Sequence, residues 1–472
     1  MTDAPVTLAV VGHTNAGKTS LLRTLTRRSD FGEVSSRPGT TRHVESVDLK
    51  ADGATAVRLF DTPGLEDATA LLDHLKALPG QTPVDRVHAF LAGPEARGVF
   101  EQEAKVLRRL LDVDAALYVI DCREPVLPKY RSEIEILASC ARPVMPVLNF
   151  VRDAGSREAQ WQSTLRSYGL HAQVRFDAVA PFAGSEAHLY EDLGTLLHGR
   201  RTQLKAVVAW LERERTSRRV ASARRIAELL VESASMRASI TQEVFDDPAQ
   251  RATSVAGFRA DALKQARACV DDLLAIHSFR RDEADDAVLP FLDGRWEDDL
   301  FGPGALHRVG KQVGAGAAMG ASIGMAADIA FGGLSLGAAT AVGAAIGGIA
   351  SQGFGPIGRK LINKARGLVG LTLEDELLLA LASQMVQLAA ALEQRGHAAS
   401  AVATRARAQL SAPVPEEATA RIAAAVEAVQ PARRHVGWGS ASWMIPSAEI
   451  WREQVVDASS LALEDAVRLL AR

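Results

Sequence analysis

The stretch GHTNAGKTS, Gly12–Ser20, lies between an apolar run, VTLAVV, and a segment with leucines at helical spacing, SLLRTLTRR. It matches the pattern G-x-x-x-x-G-K-[ST] in the strand, loop and helix context that the pattern requires. Glycines at both ends let the backbone wrap closely, so that successive N–H groups and the helix N terminus point at phosphate oxygens. The stretch therefore predicts a phosphate-binding loop. Its candidate nucleotide-binding residues are Gly12, His13, Thr14, Asn15, Ala16, Gly17, Lys18, Thr19 and Ser20.

Two side chains of this loop are expected to act beside the backbone amides. Lys18 brings positive charge to the β- and γ-phosphates and is a candidate catalytic residue, and Thr19 offers a hydroxyl to Mg²⁺. A glycine turn with an incidental lysine is the alternative. The strand signal before the loop and the helix signal after it favour the phosphate-binding interpretation.

A second strand-like segment, VRLFDTPGLED, ends in DTPG, Asp61–Gly64. Asp61 is expected to hold Mg²⁺ through water, and the amide of Gly64 is expected to meet the γ-phosphate in a catalytic role. DTPG on its own is a common turn. Because it follows a phosphate-binding loop here, it predicts the part of the site that contacts the last phosphate.

Between these motifs, the polar segment RPGTTRHVE carries Thr40 and Thr41 in a loop that leads into the strand HVESVDL. One of the two hydroxyls is expected to complete the Mg²⁺ coordination when the γ-phosphate is present, and Thr41 is also a candidate catalytic residue. The pattern does not choose between the two as the metal ligand. The loop is therefore predicted to be a switch that responds to the nucleotide.

Length and composition set bounds on the whole chain. The 472 residues are too many for one ordinary core and predict two domains. A net charge of −3, with 24% charged residues, gives no global electrostatic reason to bind nucleic acid. The cysteines Cys122, Cys140 and Cys269 lack metal-ligand spacing, and no secretory signal precedes the first strand. We therefore expect a cytoplasmic protein whose cysteines are packing residues.

With these motifs in register, the first 200 residues resemble the GTPases of the Era and TrmE class, whose loops read much like GHTNAGKTS, GTTRH and DTPG. The resemblance implies GTP and Mg²⁺ as ligands. It also implies an α/β P-loop domain, with a mostly parallel sheet and helices on both faces. In cation-dependent members of that class, the asparagine that matches Asn15 helps to bind K⁺, whereas an Asx turn is the alternative role for this residue.

The residue after DTPG departs from another branch of small GTPases. Leu65 occupies the position where that branch carries a water-orienting glutamine, so another group must place the attacking water. Glu66 and Asp67 are nearby carboxylates that either act in catalysis or are simply solvated. Residues 66–113 form a long stretch before the next strand, where we expect a lid or a dimerisation insert.

The segments expected to recognise the base are irregular. The class has Asn-Lys-x-Asp after the strand PVMPVLNF, whereas this chain has NFVRD, residues 149–153. The lysine is absent and the acidic residue comes one place late, so guanine recognition requires a bulge that brings Asp153 to the base. The later strand VRFDAVAP offers the backbone amide of Ala178 to the base carbonyl. Asn149, Asp153 and Ala178 are therefore the predicted base-side residues.

A closer resemblance covers most of the chain. It is carried by VVGHTNAGKTSLLRTLTR, RPGTTRHVE, LFDTPGLEDA, EQEAKVLRRLL, LYVIDCREPVLPKY and VLNFV, and it continues through RRDEADDAVLPFLDGRWEDDLF. These segments resemble a bacterial GTP-binding family with a C-terminal domain of unknown function, in which the departure from Asn-Lys-x-Asp is customary. We predict a P-loop GTPase domain over residues 1–200 and an all-α domain over residues 201–472.

The second half contains two helical signals. RTQLKAVVAWLERERTSRRVASARRIAELLVESASM predicts a long amphipathic helix, and residues 310–355 predict a Gly-rich helical hairpin. Glycines recur at four-residue spacing in each arm, at Gly316, Gly320 and Gly324 in the first and at Gly343 and Gly347 in the second. The arms are long enough to enter a bilayer, and basic residues flank both ends. A Gly-Ala hairpin buried in a soluble helical domain is the alternative.

The sequence as a whole predicts a GTPase that hydrolyses GTP to GDP and phosphate and acts as a nucleotide-dependent switch at the inner face of the cell membrane. The predicted partners are guanine nucleotide, a membrane lipid or membrane protein and, in one nucleotide state, a second copy of the chain. An Era-like ribosome or RNA assembly GTPase and a nucleotide-binding scaffold without significant turnover are the alternatives. Nucleic acid is disfavoured because neither a GxxG clamp nor a set of stacking aromatics is recognised after residue 200.

Overall fold

The computed structural model describes residues 4–27, 44–178, 182, 184–279, 334–335, 368–394, 414–435, 438 and 446–471. Thr40, Thr41 and all of the predicted hairpin at 310–355 except residues 334–335 lie outside these ranges. The chain divides into two compact units, which are Met1–Arg215 with Gln394–Ala399 and Thr216–Glu393 with Ser400–Arg472. We call them the first unit and the second unit.

The first unit is built on a single sheet. Its described strands are β1 (Val6–Val11), β2 (Glu45–Ala51), β3 (Ala54–Asp61), β4 (Ala115–Asp121), β5 (Val144–Asn149) and β6 (Val174–Arg175). They lie in the order β2-β3-β1-β4-β5-β6, and every neighbouring pair is parallel except β2 with β3. The prediction of a mostly parallel sheet is confirmed.

Helices connect these strands. In the described part of the first unit they are α1 (Lys18–Thr26), α2 (Ala68–Ala77), α3 (Pro83–Ala92), α4 (Glu101–Asp112), α5 (Pro128–Ser139), α6 (Glu158–Ser167), α7 (Ser185–Leu196) and the first part of α8 (Arg201–Ser235). The sequence placed the domain boundary at residue 200, whereas the division by contacts falls at Arg215, inside α8. The long helix predicted after residue 200 is confirmed by α8.

These helices cover both faces of the sheet, which explains why VTLAVV is apolar at every position. Side chains along a strand alternate between the two faces. Ala9 and Val11 of β1 pack with buried residues of α2 to α6. Val6, Leu8 and Val10 pack with buried residues of α1 and α7 on the opposite face. A parallel strand that is covered on both sides reads as a continuous hydrophobic run.

The long stretch between β3 and β4 belongs to the core of the first unit. It contains α2, α3 and α4, and side chains such as Leu71, Leu75 and Phe90 are buried against one face of the sheet. Helix α3 begins with a capping box, in which Thr82 N donates to Asp85 Oδ2 at 2.9 Å and Asp85 N donates to Thr82 Oγ1 at 3.2 Å. The stretch predicted as a lid or a dimerisation insert is therefore a packed helical insertion.

The second unit is rich in helices, as the sequence predicts. Beyond the remainder of α8, its described helices are α9 (Gln242–Asp246), α10 (Pro248–Ile276), α11 (Asp375–Glu393), α12 (Glu416–Ala428) and α13 (Pro446–Leu470). Buried residues of α8 and of α10 to α13 share one core, which includes Ile226, Leu273 and Leu381. Among the helices that the structure describes, none combines the length and the apolar character that crossing a bilayer requires.

A small antiparallel sheet in the second unit corrects the all-α prediction. Among the described residues its strands are β7 (Ala238–Thr241), β8 (Leu334–Ser335) and β9 (Leu368–Leu373), in the order β7-β9-β8. β7 and β8 have only four and two residues, which are too few to show a period in the sequence. Their pairing also joins segments that are far apart in the chain, so a local pattern cannot reveal it.

All three cysteines are buried and free, in agreement with a packing role. Burial raises the pKa of Cys122, Cys140 and Cys269 to about 12 in each case. The thiols are therefore neutral at physiological pH, which makes them poor nucleophiles.

Gly12, directly after β1, is expected to tolerate no side chain. Its φ is +145°, and an added Cβ would overlap the carbonyl oxygen of Val119 on β4. Gly12→Ala is expected to destabilise the first unit by about 3 kcal/mol, because steric displacement adds to backbone strain. Urea unfolding of the full chain, followed by circular dichroism, measures this loss.

Gly53→Ala is the matched control for this prediction. Gly53 also has a positive φ, +82°, yet nothing lies within 4 Å of an added Cβ. The control keeps the strain of the left-handed backbone without the overlap, and we expect a loss of about 1 kcal/mol. Equal losses from the two substitutions would contradict the requirement for close approach at Val119.

Candidate nucleotide-binding site

The loop between β1 and α1 has the shape of an anion-binding loop. Asn15 and Gly17 have positive φ angles of 64° and 94°, and the amide of Ala16 donates to the carbonyl of His13 at 3.2 Å. Left-handed residues in such a turn direct successive amides to one side. Gly17 is the N-cap of α1, and among the described residues no side chain caps this helix. Its first amides are therefore available to phosphate oxygens.

Lys18 lies inside this loop. Its Nζ donates to the carbonyl oxygens of Gly12 at 3.1 Å and His13 at 3.0 Å, and the residue is only 8% exposed. Burial lowers the pKa of Lys18, while the carboxylates of Asp61 and Glu133 act in the opposite direction. The ammonium group is thus fixed at the position where the motif predicts contact with the β- and γ-phosphates.

Thr19 and Asp61 meet next to this ammonium group. Thr19 Oγ1 donates to Asp61 Oδ2 at 2.7 Å. Oδ1 of Asp61 is buried, and among the described residues it makes no hydrogen bond of ordinary geometry. Burial raises the pKa of Asp61, against the effects of Thr19 and Lys18. The buried carboxylate of Asp61 and the hydroxyl of Thr19 together offer oxygen ligands to a cation.

The groups at this position fit Mg²⁺. This ion takes oxygen ligands only and is usually held by one or two carboxylates together with substrate phosphates and water. Thr19 would supply a hydroxyl oxygen and Asp61 a carboxylate oxygen, directly or through water. The predicted ligands Thr40 and Thr41 lie outside the described residues, so their part in this site stays a prediction.

The DTPG turn packs directly against the phosphate-binding loop. A Cβ at Gly64 would lie 2.6 Å from Thr14 Oγ1, so only a glycine lets the two backbones approach this closely. Thr62 Oγ1 donates to the carbonyl of Val10 at 2.8 Å and ties the turn to β1. The structure therefore brings Gly64 beside the loop that the sequence assigns to the phosphates.

Leu65 points away from this site. It is 1% exposed and packs with the core that contains the inserted helices. A side chain in that position cannot orient water at a phosphate. Asp67 accepts from the amide of Ala70 at 3.1 Å and caps α2, while Glu66 is exposed to solvent.

Glu103 on α4 is a site-adjacent residue that sequence analysis missed. It is buried, and its Oε1 accepts from the backbone amide of Asp67 at 3.1 Å. The signal was a carboxylate on the apolar face of α4, in helical register with Leu107 and Leu110. The inserted helix thus contacts the backbone that follows the DTPG turn.

A second missed residue, Glu133 on α5, lies behind the phosphate-binding loop. It is fully buried, accepts from Tyr118 Oη at 2.8 Å, and its Oε1 lies 3.0 Å from Nδ1 of His13. Nε2 of His13 is 2.8 Å from Nζ of Lys129. Because an ammonium group only donates, Nε2 accepts, and Nδ1 carries the proton that is donated to Glu133. The only sequence signal was a carboxylate on an apolar helix face, beside Tyr130.

Removing the buried carboxylate of Glu133 is expected to destabilise the first unit. Glu133→Ala leaves the Tyr118 hydroxyl and the Nδ1–H group of His13 without their acceptor, and we expect a loss of about 3 kcal/mol. Urea unfolding of the full chain measures this change. Glu135→Ala on the same helix removes an exposed partner of Lys76 and should change stability by less than about 0.5 kcal/mol. Similar losses from both variants would contradict the assignment.

On the base side, Asn149 joins three segments. Its Nδ2 donates to the carbonyl of Ala16 at 2.9 Å, and its Oδ1 accepts from the amides of Phe150 and Ala178 at 3.0 Å each. Thr24 Oγ1 donates to the carbonyl of Ala178 at 2.7 Å. The amide of Ala178 is thus already donating to Asn149, and its contact with a base stays a prediction.

The extra residue before Asp153 is accommodated in a turn. Phe150 has a φ of +56°, and the amide of Asp153 donates to the carbonyl of Phe150 at 3.2 Å. The Asp153 carboxylate is exposed, and its Oδ1 accepts from the amide of Gly155 at 2.8 Å. Recognition of guanine by this carboxylate stays a prediction.

Two protein families match the chain. Residues 7–150 match the family described as 50S ribosome-binding GTPase, and residues 162–458 match the family described as Domain of unknown function (DUF3482). The first match covers the phosphate-binding loop, Asp61 and Asn149. The second begins in α6, ends in α13, and covers more than half of the chain.

Relatives of known name resemble the first unit. The chain is 36% identical over 121 residues to the tRNA modification GTPase MnmE of Rhizobium johnstonii. The aligned region covers 26% of this chain and 21% of MnmE. It is 37% identical over 125 residues to GTPase Der of Xanthomonas oryzae, which covers 25% of each chain. It therefore spans only about a fifth to a quarter of the length of these relatives.

Among solved structures, Era of Aquifex aeolicus bound to GDP and AlF4⁻ is similar, with a TM-score of 0.27 and 21% identity, over 36% of this chain and 50% of that chain. The two family matches lie in succession along the sequence and together cover nearly all the described residues before α13. They confirm the predicted resemblance to Era/TrmE-class GTPases and to a family with a C-terminal domain of unknown function. The protein therefore belongs to the family described as Domain of unknown function (DUF3482), and a region that matches the GTPase family precedes that domain in this chain.

Proposed function

We propose that the protein binds guanine nucleotide, hydrolyses GTP to GDP and phosphate with Mg²⁺, and acts as a switch that distinguishes the two nucleotides. One observation carries this proposal. The Lys18 ammonium group lies within the phosphate-binding loop, and the Thr19 hydroxyl is hydrogen-bonded to the Asp61 carboxylate beside it. Phosphoryl transfer needs positive charge, metal ligands and precise placement of the last phosphate, and this arrangement supplies groups for each.

In the proposed reaction, water attacks the γ-phosphate in line with the departing GDP. The ammonium group of Lys18 and the loop amides bind the β- and γ-oxygens, where negative charge develops. Mg²⁺ held by Thr19 and Asp61 would supply further positive charge to the phosphates. The amide of Gly64 contacts the γ-phosphate, so that the DTPG turn responds to the presence of this group.

The proposal also concerns the group that orients the attacking water and the site that binds K⁺. Because Leu65 is buried, another group orients the water, and Thr41 with a K⁺ ion at Asn15 is our candidate pair. Asn15 lies in the loop in a left-handed conformation, with a φ of 64°. Phosphate release measured in KCl and in NaCl tests the ion, and equal rates in the two salts would remove K⁺ from the proposal.

Phosphate release from GTP by the purified full chain tests the central reaction. We expect release that requires Mg²⁺ and stops on chelation. A chain that binds GTP without releasing phosphate would be a nucleotide-binding scaffold, the alternative that the buried Leu65 favours. A chain that binds no nucleotide at all would contradict the whole proposal.

Competition between nucleotides tests the base. We expect GDP to displace bound GTP at low concentration and ATP to displace it only at much higher concentration. The supporting observation is the ordered arrangement of Asn149 between Ala16 and Ala178 at the end of β5. Equal displacement by ATP and GDP would contradict the guanine assignment.

We also place the proposed switch at the inner face of the cell membrane. The support is the sequence of the Gly-rich segment at 310–355, which has apolar arms and basic residues at both ends. Cell fractionation with a carbonate wash tests this location. Retention in the pellet supports insertion, and full recovery in the supernatant would contradict it.

A further inference from the structure

Thr14, the third residue of the phosphate-binding loop, lies against the DTPG turn. A Cβ added to Gly64 would lie 2.6 Å from Thr14 Oγ1 and 3.0 Å from Thr14 N. The hydroxyl group of Thr14, and not only the backbone of the loop, therefore borders Gly64. Because the amide of Gly64 is the proposed ligand of the γ-phosphate, this hydroxyl lies beside the place where the last phosphate binds.

The hydroxyl group of Thr14 differs from those of Thr19 and Thr62, which also lie at this site. Thr19 and Thr62 already donate hydrogen bonds within the protein. Within the ranges that the structure describes, Oγ1 of Thr14 donates no hydrogen bond to another residue, and the side chain is half-buried. A hydroxyl group can donate one hydrogen bond and accept others. Thr14 therefore offers a donor and an acceptor to a ligand at the γ-phosphate position.

The position of Leu65 leaves a catalytic role to be filled at the same place. This residue follows Gly64, but its side chain is 1% exposed and packs into the core of the first unit. The attacking water must be held in line with the bond that breaks, and hydrogen bonds to fixed acceptors hold it there. Thr41 is one candidate acceptor. Because water has two protons, it can donate to a second acceptor on the side of the loop, where Thr14 lies.

We propose that Thr14 is a catalytic residue, whose hydroxyl group accepts a hydrogen bond from the attacking water and donates one to an oxygen of the γ-phosphate. The inference rests on the proposed function and adds a residue to the same site. In this step the water oxygen bonds to the γ-phosphorus, and the bond from that phosphorus to the bridging oxygen breaks with its electron pair left on GDP. One water proton passes to a phosphate oxygen, and the Thr14 hydroxyl keeps its own proton.

This role separates turnover from the binding of GDP. The hydroxyl group makes both contacts only when the γ-phosphate and the attacking water are present together, and GDP lacks the γ-phosphate. An interaction that is made with the reacting groups and not with the product raises the rate without raising affinity for the product. Loss of the Thr14 hydroxyl should therefore slow hydrolysis and leave GDP affinity unchanged.

Single-turnover phosphate formation, with the full chain in excess over GTP and with Mg²⁺ present, tests this role. Thr14→Val keeps the branched shape of the side chain without the hydroxyl, and it is expected to slow phosphate formation by about 10-fold to 100-fold. Thr14→Ser keeps the hydroxyl and should remain within about threefold of the wild type. Calorimetric titration should give a GDP affinity within about twofold of the wild type for both variants.

Thr26→Val is the matched control on the helix that follows the loop. Thr26 is half-buried on α1, and its Oγ1 donates to the carbonyl of Leu22 at 2.7 Å. This substitution removes the same hydroxyl group away from the site, so phosphate formation and GDP affinity should both match the wild type. Circular dichroism shows whether the variants are folded, and their GDP affinity reports whether the loop keeps its shape.

The outcomes separate this inference from the proposed function. Phosphate formation at the wild-type rate in Thr14→Val, or equal losses in Thr14→Val and Thr14→Ser, would overturn the role of the hydroxyl while hydrolysis by the wild type still stands. A parallel loss of GDP affinity would assign the effect to the shape of the loop and would also overturn it. A wild-type chain that forms no phosphate would overturn the proposed reaction and the inference together. Slow phosphate formation in Thr14→Val, restored in Thr14→Ser and without loss of GDP affinity, supports the inference.

Discussion

Replacing Lys18 with alanine is expected to lower both GTP affinity and turnover by about 100-fold or more. The ammonium group is buried and fixed by the carbonyl oxygens of Gly12 and His13, so no water replaces it easily. At an effective dielectric constant near 20, a unit charge about 4 Å from a phosphate oxygen contributes about 4 kcal/mol. Calorimetry with GTP and phosphate release at saturating GTP measure the two effects.

The controls for Lys18 separate charge from folding. Lys18→Gln keeps most of the side-chain volume without the charge, and circular dichroism shows whether either variant is folded. Lys76→Ala removes an exposed lysine that pairs with Glu135 at 3.0 Å, and both affinity and turnover should match the wild type. Folded Lys18 variants with wild-type affinity and turnover would contradict the assignment of the loop to triphosphate.

Asp61→Asn is expected to produce the second large effect. Asparagine retains the size of the side chain and can still accept from Thr19, but it has no negative charge for a cation. We expect turnover to fall by about 100-fold and the dependence on Mg²⁺ concentration to move to much higher values. Phosphate release across a Mg²⁺ titration measures both.

The nucleotide-free stability of this variant gives an independent result. Burial raises the pKa of Asp61, which means that the charged carboxylate is disfavoured in the folded chain without a cation. Asp61→Asn should therefore not lower the unfolding midpoint in the absence of nucleotide. Asp48→Asn, on the neighbouring strand, removes the half-buried partner of Arg58 and should leave turnover unchanged. Normal Mg²⁺ dependence in Asp61→Asn would exclude Asp61 as a metal ligand.

The sequence predicts the architecture of the first unit because its signals are local. The strand before Gly12, the helix after Lys18 and the strand before Asp61 each show their own period or motif. Once these elements form a parallel sheet, the carboxyl ends of β1 and β3 bring Thr19 and Asp61 together without further information.

What the sequence did not predict depends on contacts between distant residues. Glu133 and Glu103 become recognisable only when His13 and the amide of Asp67 are seen beside them. A carboxylate on an apolar helix face is a weak signal, since most such residues are solvated at the edge of the face. The sheet of the second unit was missed for the same reason, because β7 and β9 pair across a long separation.

The base side of the site lies between these cases. The sequence shows that Asn-Lys-x-Asp is interrupted, but it does not show that the interruption places Phe150 in a left-handed turn beneath Arg123. The direction of the Phe150 ring depends on the φ angle of this one residue. Neither the composition nor the hydrophobic period of the sequence predicts that angle.

The bond between Glu103 and the amide of Asp67 sets a mechanical limit on the turn that precedes it. Because this bond holds the turn at Asp67, the turn can rotate about that residue but cannot shift as a whole. If Gly64 moves after loss of the last phosphate, either the backbone torsion angles between Gly64 and Asp67 change, or α4 moves together with the turn. If the proposed switch operates, the inserted helices would therefore limit how far the turn moves when the last phosphate is lost.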